Sequence, residues 1–295
     1  MSGDARSRAY ASLQGLALGD AFGSCYEDAM NQPALRERRV LPGPWLWTDD
    51  TQMACSIFAV LAEHGRIDQD ALAGSFAQHY DIYRLYGPGT SRILRLIRQK
   101  GYHWRELAQQ ARGGQGSWGN GASMRVAPLG AWFADDLDRV VAEAAASAEV
   151  THTHPDAVAG AVAVAVAAAL SAVEPHANSG SLLEMTAART PVGPVQDKIV
   201  HAASIGDPGT AAAKLGVGHD TAAADTVPFS LWVAANHGHD FKEACWTAAT
   251  AGGDQDTTCA IIGGILGART TLDGLPRDWL ACREPLPEWS TGIAH

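Results

Sequence analysis

Apolar residues recur at intervals of three and four along most of this chain. Leu72, Phe76, Tyr80 and Tyr83 keep that spacing, as do Ile93, Leu94 and Ile97 beside an outward face of Arg92, Arg95 and Arg98 that reads as solvated. Met53, Ile57, Val60 and Leu61 share one face of a helix that begins near residues 48–50 and that Gly65 can stop. Further helices fit residues 104–112, 136–149, 181–189, 195–204, 226–236 and 241–251. The run "AVAGAVAVAVAAALSAV", 157–173, follows Pro155, a residue suited to a first turn. It is too short and too rich in alanine for a comfortable membrane span of about 20 residues, and predicts a central buried helix. Valine and alanine alternate from 162 to 166, but the uninterrupted run is too long for a strand. With no comparable alternation elsewhere, the pattern predicts an all-α bundle. Gly/Pro clusters at 87–89, 113–121 and 205–218 mark loops, none long enough for a linker, so 1–295 reads as a single domain.

Composition narrows the function. Only 18% of the 295 residues are charged, and the net charge of −10 opposes any extended nucleic-acid footprint or anionic membrane surface. A small anion such as a polyphosphate ligand remains compatible. Five cysteines with no CxxC spacing read as reduced thiols, and the N-terminus lacks the apolar stretch of a signal peptide, so the expected location is cytoplasmic.

Two stretches carry candidate chemistry. In "GPWLWTDDTQMACSIF", 43–58, adjacent carboxylates Asp49 and Asp50 sit at a helix mouth. Asp49 with Gln52 resembles a capping box, which accounts for one acid and less well for two, since Trp45 and Trp47 suggest a half-buried setting. In "AGGDQDTTCAIIGGILGA", 251–268, Gly252 and Gly253 give a turn, Asp254 and Asp256 follow, and a buried stripe begins. Acids two apart point about 200° from one another on a helix, so they converge only by straddling the loop–helix junction. Four carboxylates with the Thr48, Thr51 and Thr257 hydroxyls form an all-oxygen set suited to Mg²⁺ or Mn²⁺. Each motif alone is explained by capping; the repetition favours a metal site, and two ions fit the charge if the mouths meet.

With "GLALGDAFGSCYE" (15–27), "GSWGNGASMRVAPLG" (116–130), "THTHPDA" (151–157) and "DTVPFSLW" (225–232), these stretches make the chain resemble the ADP-ribosylglycohydrolase family nearly end to end. The resemblance implies an all-α, orthogonal helical bundle with a dinuclear metal centre across which ADP-ribose binds. It implies Thr48, Asp49, Asp50, Asp254, Asp256 and Thr257 as metal ligands. Glu27 matches a flap glutamate near the scissile bond; without the resemblance it is an exposed loop acid. Ser117, Gly119 and Asn120 are implied near ADP-ribose and Trp118 against adenine, although Trp118 also suits ordinary core. The loop holding them offers backbone N–H groups before a helix that can face a diphosphate, and "YGPGTSR" offers Gly87 and Gly89 as a second wall. His152 either lies beside phosphates or ribose or caps the next helix; its HxH pairing with His154 lacks the further ligands of a zinc site. Asp225 reads as a residue of a helix N-cap region, outside the site.

The activity so implied is metal-dependent hydrolysis of the bond between ADP-ribose and an acceptor, on an ADP-ribosylated protein or a small ADP-ribose conjugate. Glu27 or a metal-bound carboxylate, Asp49 or Asp256, would take the proton. Two rivals stand beside it: a catalytically silent binding or structural protein, and a metallo-phosphohydrolase that cuts the diphosphate. The "GSCYE" stretch is closer to the serine-linked and O-acetyl branch than to the arginine branch, and arginine and base linkages stay open.

Overall fold

The computed structural model describes residues 3–176 and 178–291. It is all-α, with seventeen α-helices and no strand among the described residues; only two isolated bridges, Trp45 with Arg283 and Gly119 with Ala222, pair extended backbone. In chain order the helices are α1 Gly3–Ser24, α2 Gln32–Arg36, α3 Asp49–His64, α4 Gln69–His79, α5 Pro88–Lys100 and α6 Trp104–Gly114. There follow α7 Ala127–Trp132, α8 Leu137–Glu149, α9 Pro155–Val173, α10 Ser179–Arg189, α11 Pro194–Ala202 and α12 Pro208–Leu215. The chain continues through α13 Ala223–His237, α14 Phe241–Ala251, α15 Gln255–Arg269, α16 Arg277–Leu280 and α17 Glu288–Thr291.

Three helices lie at the centre because they are apolar or small-sided all round. Residues 159–171 of α9 are buried, as are 11–23 of α1 and 255–268 of α15. The expected central helix at 157–173 is therefore present, packed among other helices. The closest approach is between α1 and α15. A Cβ added at Gly15, Gly19 or Gly23 would fall on the backbone carbonyl of Gly263, Cys259 or Gln255, respectively. Glycine every fourth residue lets two backbones meet where any side chain would hold them apart.

Several expected boundaries shift for local reasons. Helix α4 stops at His79: Tyr80 adopts an extended ψ of 121°, and Asp81 caps a separate 3-10 turn over Ile82–Arg84, so Tyr83 is outside the helix. The supposed loop at 205–218 contains α12, which Asp207 caps by accepting the Thr210 N–H. In α6 the helical backbone breaks at Ala111, and Arg112 takes a left-handed φ of 50°. Helix α13 starts early enough to enclose Pro228, which cannot donate to the Ala224 carbonyl; Lys198 Nζ takes that acceptor at 2.8 Å.

Candidate active site

Helix α3 begins at Asp49, yet neither Asp49 nor Gln52 caps it. The expected capping box is absent: Gln52 Oε1 instead accepts from the Tyr86 hydroxyl at 2.8 Å and the Asp81 N–H at 3.2 Å. The cap comes from α1. Asp20, fully buried, accepts from the Thr48 N–H at 2.9 Å and the Thr51 N–H at 3.1 Å, and from both threonine hydroxyls at 2.9 and 2.5 Å. A carboxylate from another helix thus satisfies the orphan donors of this N-terminus. Asp49 and Asp50 are thereby released from capping.

The second mouth is shaped by glycine. Gly252 and Gly253 have φ of 80° and 75°, and a Cβ at Gly253 would strike the Val217 carbonyl. Asp254 then occupies the N-cap of α15 without capping it, and its Oδ2 accepts from Asn120 Nδ2 at 2.6 Å. Asn120 also donates to Thr226 Oγ1 at 3.0 Å. Its role in the structure is therefore to hold a site carboxylate, in addition to lining the cavity.

The two mouths meet. Asp49, Asp50, Asp254, Asp256 and Thr257 line one cavity of about 510 Å³, together with Gly87, Gly89, Ser117, Gly119, Asn120 and His152. That size suits a nucleotide-scale ligand. Carboxylate oxygens of Glu27, Asp254 and Asp256 lie within 4.8 Å of one another. Glu27 is an exposed residue in the turn after α1, with its carboxyl turned to Asp256; partial burial first, then the charge of Asp254, raises its pKa. Burial pushes Asp49 up to about 8 and Asp50 and Asp256 well above the usual carboxylate range. Mutual repulsion adds to it: Asp254 bears on Asp49 and Asp50, and Asp50 on Asp256. Asp50 Oδ1 is buried with no hydrogen-bond partner. Crowded acids, an orphan oxygen and no thiolate are what hard divalent cations relieve.

Other expected positions differ. Thr48 does not line the cavity; its hydroxyl lies 2.9 Å from Asp20 and 3.1 Å from Asp50. Trp118 is also absent from the lining. Its ring lies under the Arg112 guanidinium at 4.0 Å and edge-on to His154. The 113–121 loop offers fewer free N–H groups than expected: Gly119 donates to Ser117 Oγ and Asn120 to the Thr221 carbonyl. Only a 3-10 turn, Asn120–Ala122, follows directly. An acid-free, uncapped helix N-terminus at the cavity is that of α5, where Gly87, Pro88, Gly89 and Thr90 line the wall.

Sequence reading also passed over a buried chain behind the cavity. Arg125, on the turn before α7, donates to the Ser147 carbonyl at 3.0 Å and to Thr151 Oγ1 at 2.9 Å. Thr151 Oγ1 lies 2.7 Å from His152 Nδ1. The guanidinium only donates, so the Thr151 hydroxyl proton is free to go to Nδ1, and in that tautomer the ring carries its proton on Nε2. Burial, then the charges of Arg125 and Arg112, lowers His152 to about 3, so the ring is neutral. His152 instead of capping α9 therefore presents an N–H at the cavity; the cap is His154, whose Nδ1 accepts from the Asp156 N–H at 3.2 Å. Arg92 is exposed, as expected, and also lines the rim of the same cavity.

Comparison with known proteins agrees with this architecture. An uncharacterised protein of Archaeoglobus fulgidus is 32% identical over 95% of this chain and 94% of its own length. ADP-ribosylhydrolase ARH3 of Homo sapiens is 34% identical over 163 residues, so the match spans 50% of this chain and 45% of that protein. ADP-ribosylarginine hydrolase Tri1 of Pseudomonas putida is 26% identical over 94% of this chain and 74% of its own. A solved structure described as an ADP-ribosylglycohydrolase-related protein complex superposes with a TM-score of 0.69 at 24% identity, covering 96% and 94% of the two chains, and shares the fold. The ADP-ribosylglycohydrolase family model matches residues 1–295, and with both acidic helix mouths brought to one cavity the chain belongs to that family.

Proposed function

We propose that this protein uses two divalent cations, Mg²⁺ or Mn²⁺, to hydrolyse the glycosidic bond between ADP-ribose and an acceptor. The observation that carries the reading is the convergence of Asp49, Asp50, Asp254, Asp256 and Thr257 on one cavity of nucleotide size. Those residues would hold the cations, with Thr48 orienting Asp50 from behind. Bound there, the cations supply positive charge that keeps the carboxylates ionised and Lewis acidity toward ribose hydroxyls and water.

The chain's own groups do the rest. The N–H groups of Gly89 and Thr90 at the start of α5 favour a diphosphate, and His152 Nε2–H donates to a phosphate or ribose oxygen. In the reaction, water oxygen bonds to the anomeric carbon as the bond from that carbon to the acceptor breaks, through a transition state of oxocarbenium character. Glu27, or Asp49 or Asp256, takes the proton from water, and the acceptor departs with a proton. All five cysteines are free thiols, which suits the cytoplasm.

The test is Asp256→Asn. Cation-dependent release of ADP-ribose from a modified protein should fall by about 10³-fold or more, with helix content unchanged by circular dichroism. Turnover equal to wild type would remove the carboxylate from the mechanism. Mass analysis of products separates the rivals: AMP with ribose phosphate marks diphosphate cleavage, and binding without release marks a silent protein.

A further inference from the structure

Beside the catalytic cavity lies a second groove, of about 280 Å³, lined by Tyr80, Asp81, Ile82, Arg95, Arg98 and Gln99. The two concavities share their walls. Helix α5 gives Arg92 to the cavity and Arg95 and Arg98 to the groove, while the 80–87 segment gives Leu85 and Gly87 to one and Tyr80 to Ile82 to the other. Resting on the hydrolase reading above, we propose that this groove seats an acidic, partly apolar stretch of the ADP-ribosylated protein next to its modified residue.

Charge carries the first step. Arg92, Arg95 and Arg98 are exposed, spaced three apart, and together cover about 9 Å of helix. None forms an ion pair among the described residues, although the protein carries a net charge of −10. Arg95 and Arg98 make one backbone bond each, at 3.4 Å to the Ser91 carbonyl and 3.2 Å to the Tyr80 carbonyl. A guanidinium has five donors, so most of theirs point to solvent. Elsewhere in the molecule exposed arginines are commonly spent on carboxylates, as Arg66 is on Asp68 and Arg277 on Asp273. An unpaired basic stripe on an acidic protein, leading out of the cavity where ADP-ribose binds, is complementary to an acidic partner.

The segment beside the stripe selects the kind of partner. Ile82 lines the groove and Leu85 the neighbouring cavity, and with Tyr83 between them they are 64%, 64% and 87% exposed, among the most exposed large apolar residues of the fold. Leu85 closes the 3-10 turn with a left-handed φ of 62°. An exposed apolar segment that runs from the groove to the cavity beside a row of guanidinium groups fits a polypeptide of mixed acidic and apolar residues. A phosphate backbone fits less well. The stripe is short, and the protein's net charge opposes a long polyanion.

The experiment compares wild type with Arg95→Glu/Arg98→Glu, both arginines being outside the catalytic cavity. Hydrolysis is measured on ADP-ribosylated peptides that share one acceptor residue but have acidic, neutral or basic flanks, and on O-acetyl-ADP-ribose. Wild type should prefer the acidic flank by about tenfold in kcat/KM, and the double variant should lose that preference while cleaving O-acetyl-ADP-ribose as before; the preference should also weaken with added salt. Equal rates on all flanks, or an equal loss on peptide and small conjugate, would overturn the proposal. Fluorescence anisotropy of a labelled, unmodified acidic peptide is independent of turnover: it should bind wild type and not the double variant even if no ADP-ribose is released, a result that would refute the hydrolase reading alone. A single-stranded oligonucleotide binding tighter than the peptide, or a dimer lost in the double variant, would assign the groove to nucleic acid or a second copy instead.

Discussion

Asp20 stands alone as an acid within "GLALGDAFG", and its partners are 28 and 31 residues further on. The four aspartates of the two mouths were legible because each pair announces itself locally, by glycine or threonine before it and an apolar stripe after it. Asp20 was not, since nothing adjacent marks a cap delivered from another helix. The available signal was a single charge in an apolar run, which a buried setting obliges to find partners. Arg125 and Thr151 escaped for the same reason: the chain of donors that fixes His152 exists only when α7 and α8 meet. Asp20→Ala should lower stability by about 2–3 kcal/mol, because it strands buried donors at the head of α3. It should also weaken Mg²⁺ binding, as read by denaturant titration and calorimetry. Unaltered Mg²⁺ affinity would show that Asp49 and Asp50 hold their place without this cap.

At the level of elements, periodicity was informative where one face is wet and weak where none is. Helices α8, α10, α11 and α14 match their expected spans to within two residues. Helix α1 gave no usable stripe because residues 11–23 are buried on every side, and its glycines are spaced for contact with a backbone. Gly19→Ala places a methyl group on the Cys259 carbonyl and should cost at least about 3 kcal/mol as α1 and α15 are forced apart. Gly74→Ala, in the exposed middle of α4 with nothing within 4 Å of the new Cβ, should add roughly 0.5–1 kcal/mol. Thermal unfolding of the pair checks both, and similar shifts in the two would contradict the close approach.

For the molecule as a whole, the acids make stability depend on pH in an unusual direction. Folding raises Asp20 from 3.8 to about 6 and Asp49 from 3.8 to about 8, burial being the largest cause of each. The folded, metal-free protein therefore holds these protons more tightly than the unfolded chain. Their stabilising contribution is full below pH 3.8 and is lost as pH rises through about 6 and 8. In chelator, Tm should fall steadily between pH 5 and 8. Mg²⁺ at one concentration, a hundredfold excess over its Kd at pH 8, should raise Tm by about 5 °C or more at pH 8, with release of protons, and by less at pH 5. An equal shift at both values would mean that the cation does not compete with those protons. That two acidic mouths this far apart in sequence belong to one site was inferable from their repetition; the helix that brings them together was not.

The glycine seam between α1 and α15 has a consequence for biosynthesis. Ser12 and the Gly264 carbonyl it binds are separated by 252 residues. At ribosomal speeds of about 5–20 residues per second, α1 waits on the order of ten seconds or more for its mate. Throughout that interval the small-sided groove that will receive α15 is bare, so the nascent chain is a natural client for a chaperone until α15 has emerged.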